Sequence, residues 1–297
     1  MKNLRPLLSD ITTRFAPISD TPALDASVLI AHIINKPRAW VMAHPELTLT
    51  NEQQKQLDDS LARLVRGEPF PYVLGHWEFF GMDFDVTPDV LIPRPETELL
   101  VEKAIAWLQA NSKKSPSSPL RVADIGTGSG AIAVSLAVNI PDAEILATDI
   151  SSKALQVAKQ NAIKHGVSNK TEFIECDLLP HPQPLSQRER GEGVRAFNLL
   201  CANLPYIPTQ TLSRLPVFGY EPTVALDGGE DGLDLIRRLL NIAPDWLAPN
   251  GLILLEIEST RGLQALNIAC EMFSNAEINL HQDLAGNDRM LMVEFPD

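Results

Sequence analysis

Residues 121–130 read RVADIGTGSG, a run of strand-forming residues that leads directly into three closely spaced glycines. Gly126, Gly128 and Gly130, with Thr127 and Ser129 between them, let the backbone approach a ligand at the N-terminus of a following helix. A tight strand-to-helix turn without a ligand has the same pattern, and the spacing departs from the Gly-x-Gly-x-x-Gly of dinucleotide sites. The stretch therefore predicts a strand, a candidate cofactor loop and a helix.

The sequence after this loop alternates between strand-like and helical patterns. The strand-like runs are EILATDI (144–150), TEFIECD (171–177), FNLLCANLPY (197–206), LILLEIE (252–258) and RMLMVEF (289–295). Such alternation predicts an α/β fold, with a mainly parallel sheet and helices on both of its faces. Ligands in these sheets bind at the carboxyl ends of the strands, so the residues that follow each strand are the candidate site residues.

Two of these strands end in an acidic residue. The carboxylate of Asp149 can accept both hydroxyls of a ribose, and that of Asp177 can meet an adenine amino group while Leu178 covers the ring. Each aspartate has an ordinary alternative, because Asp149 can cap the helix after Ser151 and Asp177 can form a turn. Together with the glycine loop they favour an adenosine-containing ligand, which fits S-adenosylmethionine as well as NAD.

The fourth strand-like run ends in Asn203, Leu204, Pro205 and Tyr206. The side-chain oxygen of Asn203 and the carbonyl of Leu204 can each accept one N–H of an amide or amino group, whose delocalised lone pair makes it a poor nucleophile. Pro205 stiffens the loop, and Tyr206 can stack on a flat group and favour a cationic methyl donor. A proline turn after a buried strand is the alternative. Beside the glycine loop, this tetrad predicts N-methylation with S-adenosylmethionine.

The first 71 residues have apolar positions at helical spacing and predict a small helical bundle. Residues 72–95 predict a hairpin followed by an extended strap, because their first half alternates and their second half contains two prolines. The catalytic domain then spans 96–297. Within it, SKKSPSSP (112–119) is a polar linker, and HPQPLSQRERGEGVRA (181–196) predicts a mobile surface loop, since it has almost no apolar periodicity.

The composition limits the class of protein. The 297 residues are 44% hydrophobic and carry a formal net charge of −13, which argues against sequence-independent binding to nucleic acid. The absence of a long apolar run and of a signal-peptide pattern predicts a cytoplasmic protein without membrane association. The histidines lack metal-ligand spacing, so no metal is expected, and the three cysteines predict reduced core thiols. No heptad pattern indicates a dimer, and a monomer is expected.

Several longer motifs resemble the HemK/PrmC family, the N5-glutamine methyltransferases of class I peptide chain release factors. The likeness runs from about Tyr72 onward and is carried by the glycine loop, NLPYIP, DLAGNDRMLMVEF and, most specifically, IPRPETE (92–98) and EPTVALDGGEDGLD (221–234). The resemblance implies a Rossmann-like class I methyltransferase with a mainly parallel seven-stranded sheet, preceded by a substrate-recognition bundle. It also implies methylation of the glutamine in the release factor's Gly-Gly-Gln motif.

By motif matching, the family's cofactor-binding role falls on the loop Gly126 to Gly130, Asp149, Leu178 and Asn203. The family's role of holding the glutamine amide falls on the tetrad Asn203 to Tyr206. The strap residues Arg94 and Glu96 are expected to line the cleft.

Two features depart from the family pattern. The family usually has Asn-Pro-Pro-Tyr where this sequence has Leu204, and residues 181–196 resemble an insertion. Asn-Leu-Pro-Tyr resembles the tetrad of the rRNA adenine dimethyltransferases, so an rRNA or DNA adenine methyltransferase is a rival interpretation, although the net acidity and the IPRPETE motif disfavour it. A ribosomal-protein glutamine methyltransferase and a non-catalytic adaptor that binds release factors are further alternatives.

Overall fold

The structure is a computed structural model that describes residues 3–112, 119–180 and 197–296. The predicted mobile loop 181–196 and most of the predicted linker 112–119 lie outside the described residues. The chain divides into two compact units, Met1–Gly75 and His76–Asp297.

The N-terminal unit is helical, as predicted. Its apolar residues recur at helical spacing and bury one side of each longer helix, for example Leu57, Leu61 and Leu64 of the fourth. That helix begins in a capping box, in which the Thr50 side chain accepts from the Gln53 backbone and the Gln53 side chain accepts from the Thr50 backbone. The helices are α1 (Leu4–Phe15), α2 (Pro22–Ile34), α3 (Arg38–Ala43), α4 (Asn51–Val65) and α5 (Phe70–Leu74).

A two-stranded antiparallel hairpin opens the second unit, with strands β1 (His76–Phe79) and β2 (Met82–Asp85). The hairpin was predicted to start at Tyr72, but Tyr72 to Leu74 are helical and end at Gly75, whose φ of 79° places it in the left-handed region. After the hairpin, Pro93 and Pro95 keep the chain extended until a short 3-10 helix (Pro95–Thr97) leads into α6 (Glu98–Ser112).

The main sheet of the described chain has seven strands, as predicted. Their order is β5-β4-β3-β6-β7-β9-β8, and the first five are mutually parallel while β9 runs antiparallel to both β7 and β8. The strands are β3 (Arg121–Ile125), β4 (Glu144–Asp149), β5 (Thr171–Glu175), β6 (Phe197–Ala202), β7 (Leu247–Glu256), β8 (Glu277–Gln282) and β9 (Asp288–Glu294).

Helices cover both faces of this sheet. Alternate residues of the central strands point to opposite sides, so that Leu199 and Leu200 of β6 belong to separate apolar clusters. One cluster packs under α6 and α7, and the other under α10 and α11. The helices of this region are α7 (Ala131–Asn139), α8 (Ser152–Lys164), α9 (Thr209–Leu212), α10 (Asp234–Ile242) and α11 (Gly262–Met272).

Helix α10 ends at Ile242 and is followed by a 3-10 turn (Ala243–Asp245), because Pro244 lacks the N–H that continues a helix. The prediction of core thiols holds for Cys201, whereas Cys176 is only partly buried and Cys270 is exposed on α11, so the prediction is wrong for Cys270. Among the described residues, no helix is long and apolar enough to cross a membrane.

Candidate active site

The glycine loop and the Asn203 tetrad begin at neighbouring strand ends. Ile125, the last residue of β3, pairs with Ala202, the last residue of β6, so Gly126 and Asn203 each follow a paired residue. β4 and β5 lie on one side of β3 whereas β6 and β7 lie on the other. A crevice opens at such a reversal of strand order, at the carboxyl ends of the parallel strands.

The glycine loop is held tightly at its start and is open in its middle. The N–H groups of Gly126 and Thr127 both donate to the Thr148 carbonyl, at 2.9 and 2.8 Å. Gly128 has a φ of 55°, and a Cβ placed there would meet nothing within 4 Å. A ligand can therefore approach this backbone closely, as a cofactor loop requires.

The end of the loop has a packing role. Gly130 has a φ of 82°, and a Cβ there would lie 3.1 Å from the Cβ of Ala158 on α8. The buried side chain of Asn161, also on α8, donates to the Ser129 carbonyl at 2.8 Å. Unlike the preceding four loop residues, Gly130 is not among the residues that line the cavity.

Asp124 holds the glycine loop in place through hydrogen bonds. Its fully buried carboxylate accepts from the Thr127 hydroxyl at 2.6 Å and from the Ala133 N–H at 3.0 Å. The pKa of Asp124 is raised to about 7, chiefly by burial; the hydrogen bonds from Thr127 and Ala133 lower the pKa and the nearby Asp149 charge raises it. The other carboxylate oxygen, Oδ1, has no hydrogen-bond partner among the described residues.

Asp149 ends β4 beside the loop. Its Oδ2 accepts from the Gly128 N–H and its Oδ1 from the Ser151 N–H, both at 2.9 Å. Burial raises its pKa, whereas these backbone donors lower it. Ser151 rather than Asp149 caps α8, accepting from the Ala154 N–H. The capping alternative for Asp149 is therefore wrong, and each of its oxygens keeps a lone pair for a ligand hydroxyl.

The segment after β5 forms the next wall of the cavity. Leu178 has a φ of 62°, unusual for a branched residue, and its carbonyl accepts from the Thr148 hydroxyl at 2.6 Å. Its side chain is buried at the cavity wall. Asp177 also lines the cavity, but its carboxylate forms an ion pair of 2.6 Å with Arg238 of α10.

Three residues of the tetrad line the same cavity. The Asn203 side-chain nitrogen donates to the Thr97 hydroxyl at 3.0 Å, while its Oδ1 accepts no hydrogen bond from the described residues. The Leu204 side chain is buried, and a Cβ on Gly126 would lie 3.2 Å from it. Tyr206 is not part of the cavity lining, because its hydroxyl turns toward Glu256 at 3.4 Å. Burial raises the pKa of Tyr206, which keeps the phenol neutral.

The two most specific sequence motifs meet at the wall of the cavity. Arg94 of the strap lines the cavity and pairs at 2.5 Å with Glu221, whose side chain is fully buried. The loop that follows Glu221 pairs with the tetrad segment, since Ile207 donates to Leu226 and Gly228 donates to Ile207. A Cβ on Gly228 would come within 2.6 Å of the Tyr206 Cα, so this contact requires a glycine.

These walls enclose a cavity of about 620 Å³, a volume typical of sites for small molecules. An open glycine backbone, a carboxylate at the end of β4 and the apolar Leu178 fit an adenosine-containing cofactor, and Asn203 and Leu204 line the same cavity. No group of three or more potential metal ligands occurs in the part of the chain that the structure describes.

Sequence reasoning missed four residues of this site. Thr97, Glu221, Arg238 and Glu256 contact predicted site residues from segments that lie 50 to 127 positions away along the chain. The available signal was modest: Glu221 and Thr97 lie within the two specific motifs, and Glu256 is a carboxylate at the carboxyl end of an otherwise apolar strand.

Comparisons with known proteins agree with this architecture. A family model described as the PrmC N-terminal domain matches residues 7–75, and a methyltransferase domain model matches residues 116–258. The catalytic domain of hMettl16, solved in complex with the MAT2A 3'UTR hairpin 1, superposes with a TM-score of 0.56 over 90% of this chain and 91% of that chain. At 13% identity, this similarity concerns the fold alone.

Closer relatives match along the whole length. The release factor glutamine methyltransferase of Coxiella burnetii is 36% identical over 99% of both chains. The protein of the same name from Moorella thermoacetica is 39% identical over 98% of both chains. Identity at this level over full-length chains means that the chain belongs to the release factor glutamine methyltransferase family.

Proposed function

We propose that this protein methylates the side-chain amide nitrogen of the glutamine in the Gly-Gly-Gln motif of class I peptide chain release factors, using S-adenosylmethionine. The observation that carries the proposal is that Asn203 and Leu204 both line the cavity that the glycine loop opens, and that the Asn203 Oδ1 accepts no hydrogen bond from the described residues. The full-length relatives named release factor glutamine methyltransferases support the choice of substrate.

The cofactor is expected on the β3–β5 side of the cavity. We assign its binding to the loop from Gly126 to Gly130, Asp149, Asp177, Leu178 and Asn203. Within this set, Asp149 suits the ribose hydroxyls and Leu178 the adenine ring. Asp177 can accept from the adenine amino group through Oδ1, because Arg238 occupies its Oδ2. Gly130 acts by shaping the loop. When bound, S-adenosylmethionine supplies an electrophilic methyl group on a sulfonium centre.

The tetrad is expected to orient the acceptor nitrogen. An amide nitrogen has a delocalised lone pair, so it reacts well only when it is held in place and drawn toward a tetrahedral geometry. The Asn203 Oδ1 and the Leu204 carbonyl each accept one N–H of the glutamine NH₂ group, while Pro205 keeps the loop rigid. The Leu204 side chain points into the core, so leucine provides the same backbone carbonyl as the family's usual proline.

The proton of the substrate amide need not leave before methyl transfer. It becomes acidic once the nitrogen carries a fourth substituent, and no histidine lines the cavity of the described chain. The catalytic contribution of the protein therefore comes from orientation and from exclusion of water. We further propose that the helical unit of residues 1–75 recognises the release factor and that the protein acts as a monomer.

The test is to incubate the purified protein with S-adenosylmethionine and an intact release factor, and to locate the methyl group by mass spectrometry. We expect one methyl group on the Gly-Gly-Gln glutamine and none on a release factor in which that glutamine is replaced by glutamate. Methyl transfer to ribosomal RNA, DNA or a ribosomal protein instead would contradict the proposal.

A pair of asparagine variants links the result to the site. Asn203→Ala should abolish methyl transfer and retain most of the cofactor affinity measured by calorimetry. Asn279→Ala, a matched change on the exposed edge strand β8, should behave like the wild type. A fully active Asn203→Ala protein would refute the assigned role of the tetrad.

A further inference from the structure

Asn161 of α8 joins the β1–β2 hairpin to the glycine loop. Its side chain is fully buried. The Oδ1 accepts from the Asp85 N–H at 2.8 Å, while the Nδ2 donates to the Asp85 carbonyl at 3.0 Å and to the Ser129 carbonyl at 2.8 Å. An amide nitrogen carries two N–H groups, so each of them serves one of the two segments. The side chain therefore links the end of β2 directly to the glycine loop.

The backbone groups around Asn161 allow its amide a single orientation. A backbone N–H only donates and a backbone carbonyl only accepts. Turning the amide over would bring its nitrogen against the Asp85 N–H and its oxygen against both carbonyls, which would leave buried polar groups without partners. The two segments are therefore joined in one fixed geometry.

Both linked segments continue into the wall of the cavity. Ser129 lines the cavity itself, and Asp85 is the last residue of the hairpin before the strap. Six strap residues between positions 89 and 97 line the cavity, whereas no residue of the hairpin does. At the far end of the strap, the Thr97 hydroxyl accepts from the Asn203 side chain at 3.0 Å. The strap is thus tied to the glycine loop at its start and to the tetrad at its end.

The hairpin also contacts the C-terminal end of α8 through charged groups. Lys164 pairs with Asp83 at 2.7 Å and with Asp85 at 2.6 Å, and the His165 ring contacts the Asp83 carbonyl at 2.9 Å. None of these contacts includes a residue of the glycine loop. They fasten the same hairpin to the same helix, so Lys164 provides a matched control for Asn161.

We propose that Asn161 is a positioning residue that couples the glycine loop to the strap, so that binding of the cofactor also fixes the wall that supports the tetrad. The proposal rests on the proposed function, from which it takes the cofactor and the acceptor. A bound cofactor restricts the backbone of the glycine loop. Because Asn161 joins this backbone to Asp85, the restriction extends to the hairpin and the strap. The acceptor site is completed once the cofactor is in place.

The first test needs no variant. Hydrogen–deuterium exchange of the full-length protein is followed with and without S-adenosylhomocysteine, the cofactor that lacks its transferable methyl group. We expect slower exchange in the glycine loop and also in residues 76–85, including the Asp85 N–H that donates to Asn161. Direct contact cannot cause the response of the hairpin, because the hairpin does not line the cavity. Slower exchange confined to the segments that line the cavity would overturn the proposal.

The second test compares two variants on α8. Asn161→Leu replaces the amide with an apolar side chain of similar size. We expect the S-adenosylhomocysteine Kd from calorimetry to rise about 10-fold, and kcat at saturating cofactor to fall by a similar factor. The response of the hairpin to the cofactor should disappear in this variant. Lys164→Met, which weakens only the partly exposed contacts of the hairpin, should keep that response and change the Kd and kcat by less than about twofold.

A purely structural role for Asn161 gives a different result. It would lower the thermal stability of Asn161→Leu and leave the Kd and the hairpin response at their wild-type values, which would overturn the proposal. If Asn161→Leu does not fold, the exchange measurement on the wild type still decides the question.

The two claims fail in distinguishable ways. If the wild type methylates the Gly-Gly-Gln glutamine while its hairpin does not respond to S-adenosylhomocysteine, only the coupling fails. If the hairpin responds and the release factor is not methylated, the proposed function fails and the coupling through Asn161 stands. If S-adenosylhomocysteine does not bind, both claims fail.

Discussion

Replacing Gly228 by alanine should displace the tetrad while leaving the cofactor loop intact. The added Cβ would lie 2.6 Å from the Tyr206 Cα and 2.8 Å from the Pro205 carbonyl oxygen. Ordinary contact begins at 3.4 Å, so the tetrad backbone must move by about 0.8 Å, because no flexible side chain is available to yield. Gly228 does not have a positive φ, so the change adds little backbone strain of its own.

A shift of this size is large for an aligned reaction. Misplacement by about 1 Å can cost roughly 100-fold in rate, so we expect Gly228→Ala to lower kcat by about 10- to 100-fold, equivalent to about 1.4–2.7 kcal/mol in the activation barrier. The S-adenosylmethionine Kd should change little, because the clash involves neither the glycine loop nor Asp149. The assay is methyl transfer to an intact release factor, with cofactor affinity measured by calorimetry.

Gly286→Ala is the matched control. Gly286 lies in the turn between β8 and β9, and a Cβ there would meet nothing within 4 Å, although its φ of 82° makes alanine strained by about 1 kcal/mol. This variant should lose stability and keep kcat. The reasoning is refuted if Gly228→Ala retains the wild-type kcat, or if both variants lose kcat equally.

Three further variants test other parts of the site. Asp149→Asn keeps one acceptor oxygen where the carboxylate has two. We therefore expect the S-adenosylmethionine Kd to rise about 10- to 100-fold, which corresponds to about 1.4–2.7 kcal/mol of binding free energy. An unchanged Kd in calorimetry would contradict the assignment of Asp149 to the ribose. Arg94→Ala removes the charged partner of the buried Glu221, which keeps only a hydrogen bond of 3.4 Å from the Ile92 N–H, and should lower the free energy of unfolding by about 3 kcal/mol in urea titrations. Arg14→Ala, which breaks an exposed pair with Asp10, should cost less than about 0.5 kcal/mol. The folded pKa of Asp124, about 7, exceeds the ordinary 3.8, so the folded protein binds more protons between these values and its stability should fall as pH rises from about 4 to 7. Asp124→Asn should flatten this part of the profile, and an identical slope in both proteins would show that another group causes it.

The sequence predicted the sheet and the position of the glycine loop because their signals are local. Strand-like runs end in Gly126, Asp149, Asp177 and Asn203, and parallel strands bring such ends to one edge of the sheet. The same rule places these residues around one cavity without knowledge of any side-chain contact.

The supporting residues could not be predicted in this way. Thr97 meets Asn203 across 106 positions, and Arg94 meets Glu221 across 127. Such pairs depend on how the strap and the later loop pack against the sheet, which periodicity does not encode. Tyr206 illustrates the limit within the tetrad itself, because its side chain turns away from the cavity toward Glu256, and alternation alone does not specify that rotamer.

The pairing of β3 with β6 sets the distance between the glycine loop and the Asn203 tetrad. The proposed cofactor loop and the proposed acceptor tetrad each follow a hydrogen-bonded strand pair, so their separation is set by the spacing between neighbouring strands, about 4.8 Å, and by the register Ile125 to Ala202. A slip of one residue would shift the tetrad by about 3.3 Å and turn alternate side chains to the opposite face. Changes in the length of the connections between these strands leave that register untouched. Evolution can therefore lengthen or shorten the connections of this enzyme without altering the distance over which the methyl group is transferred.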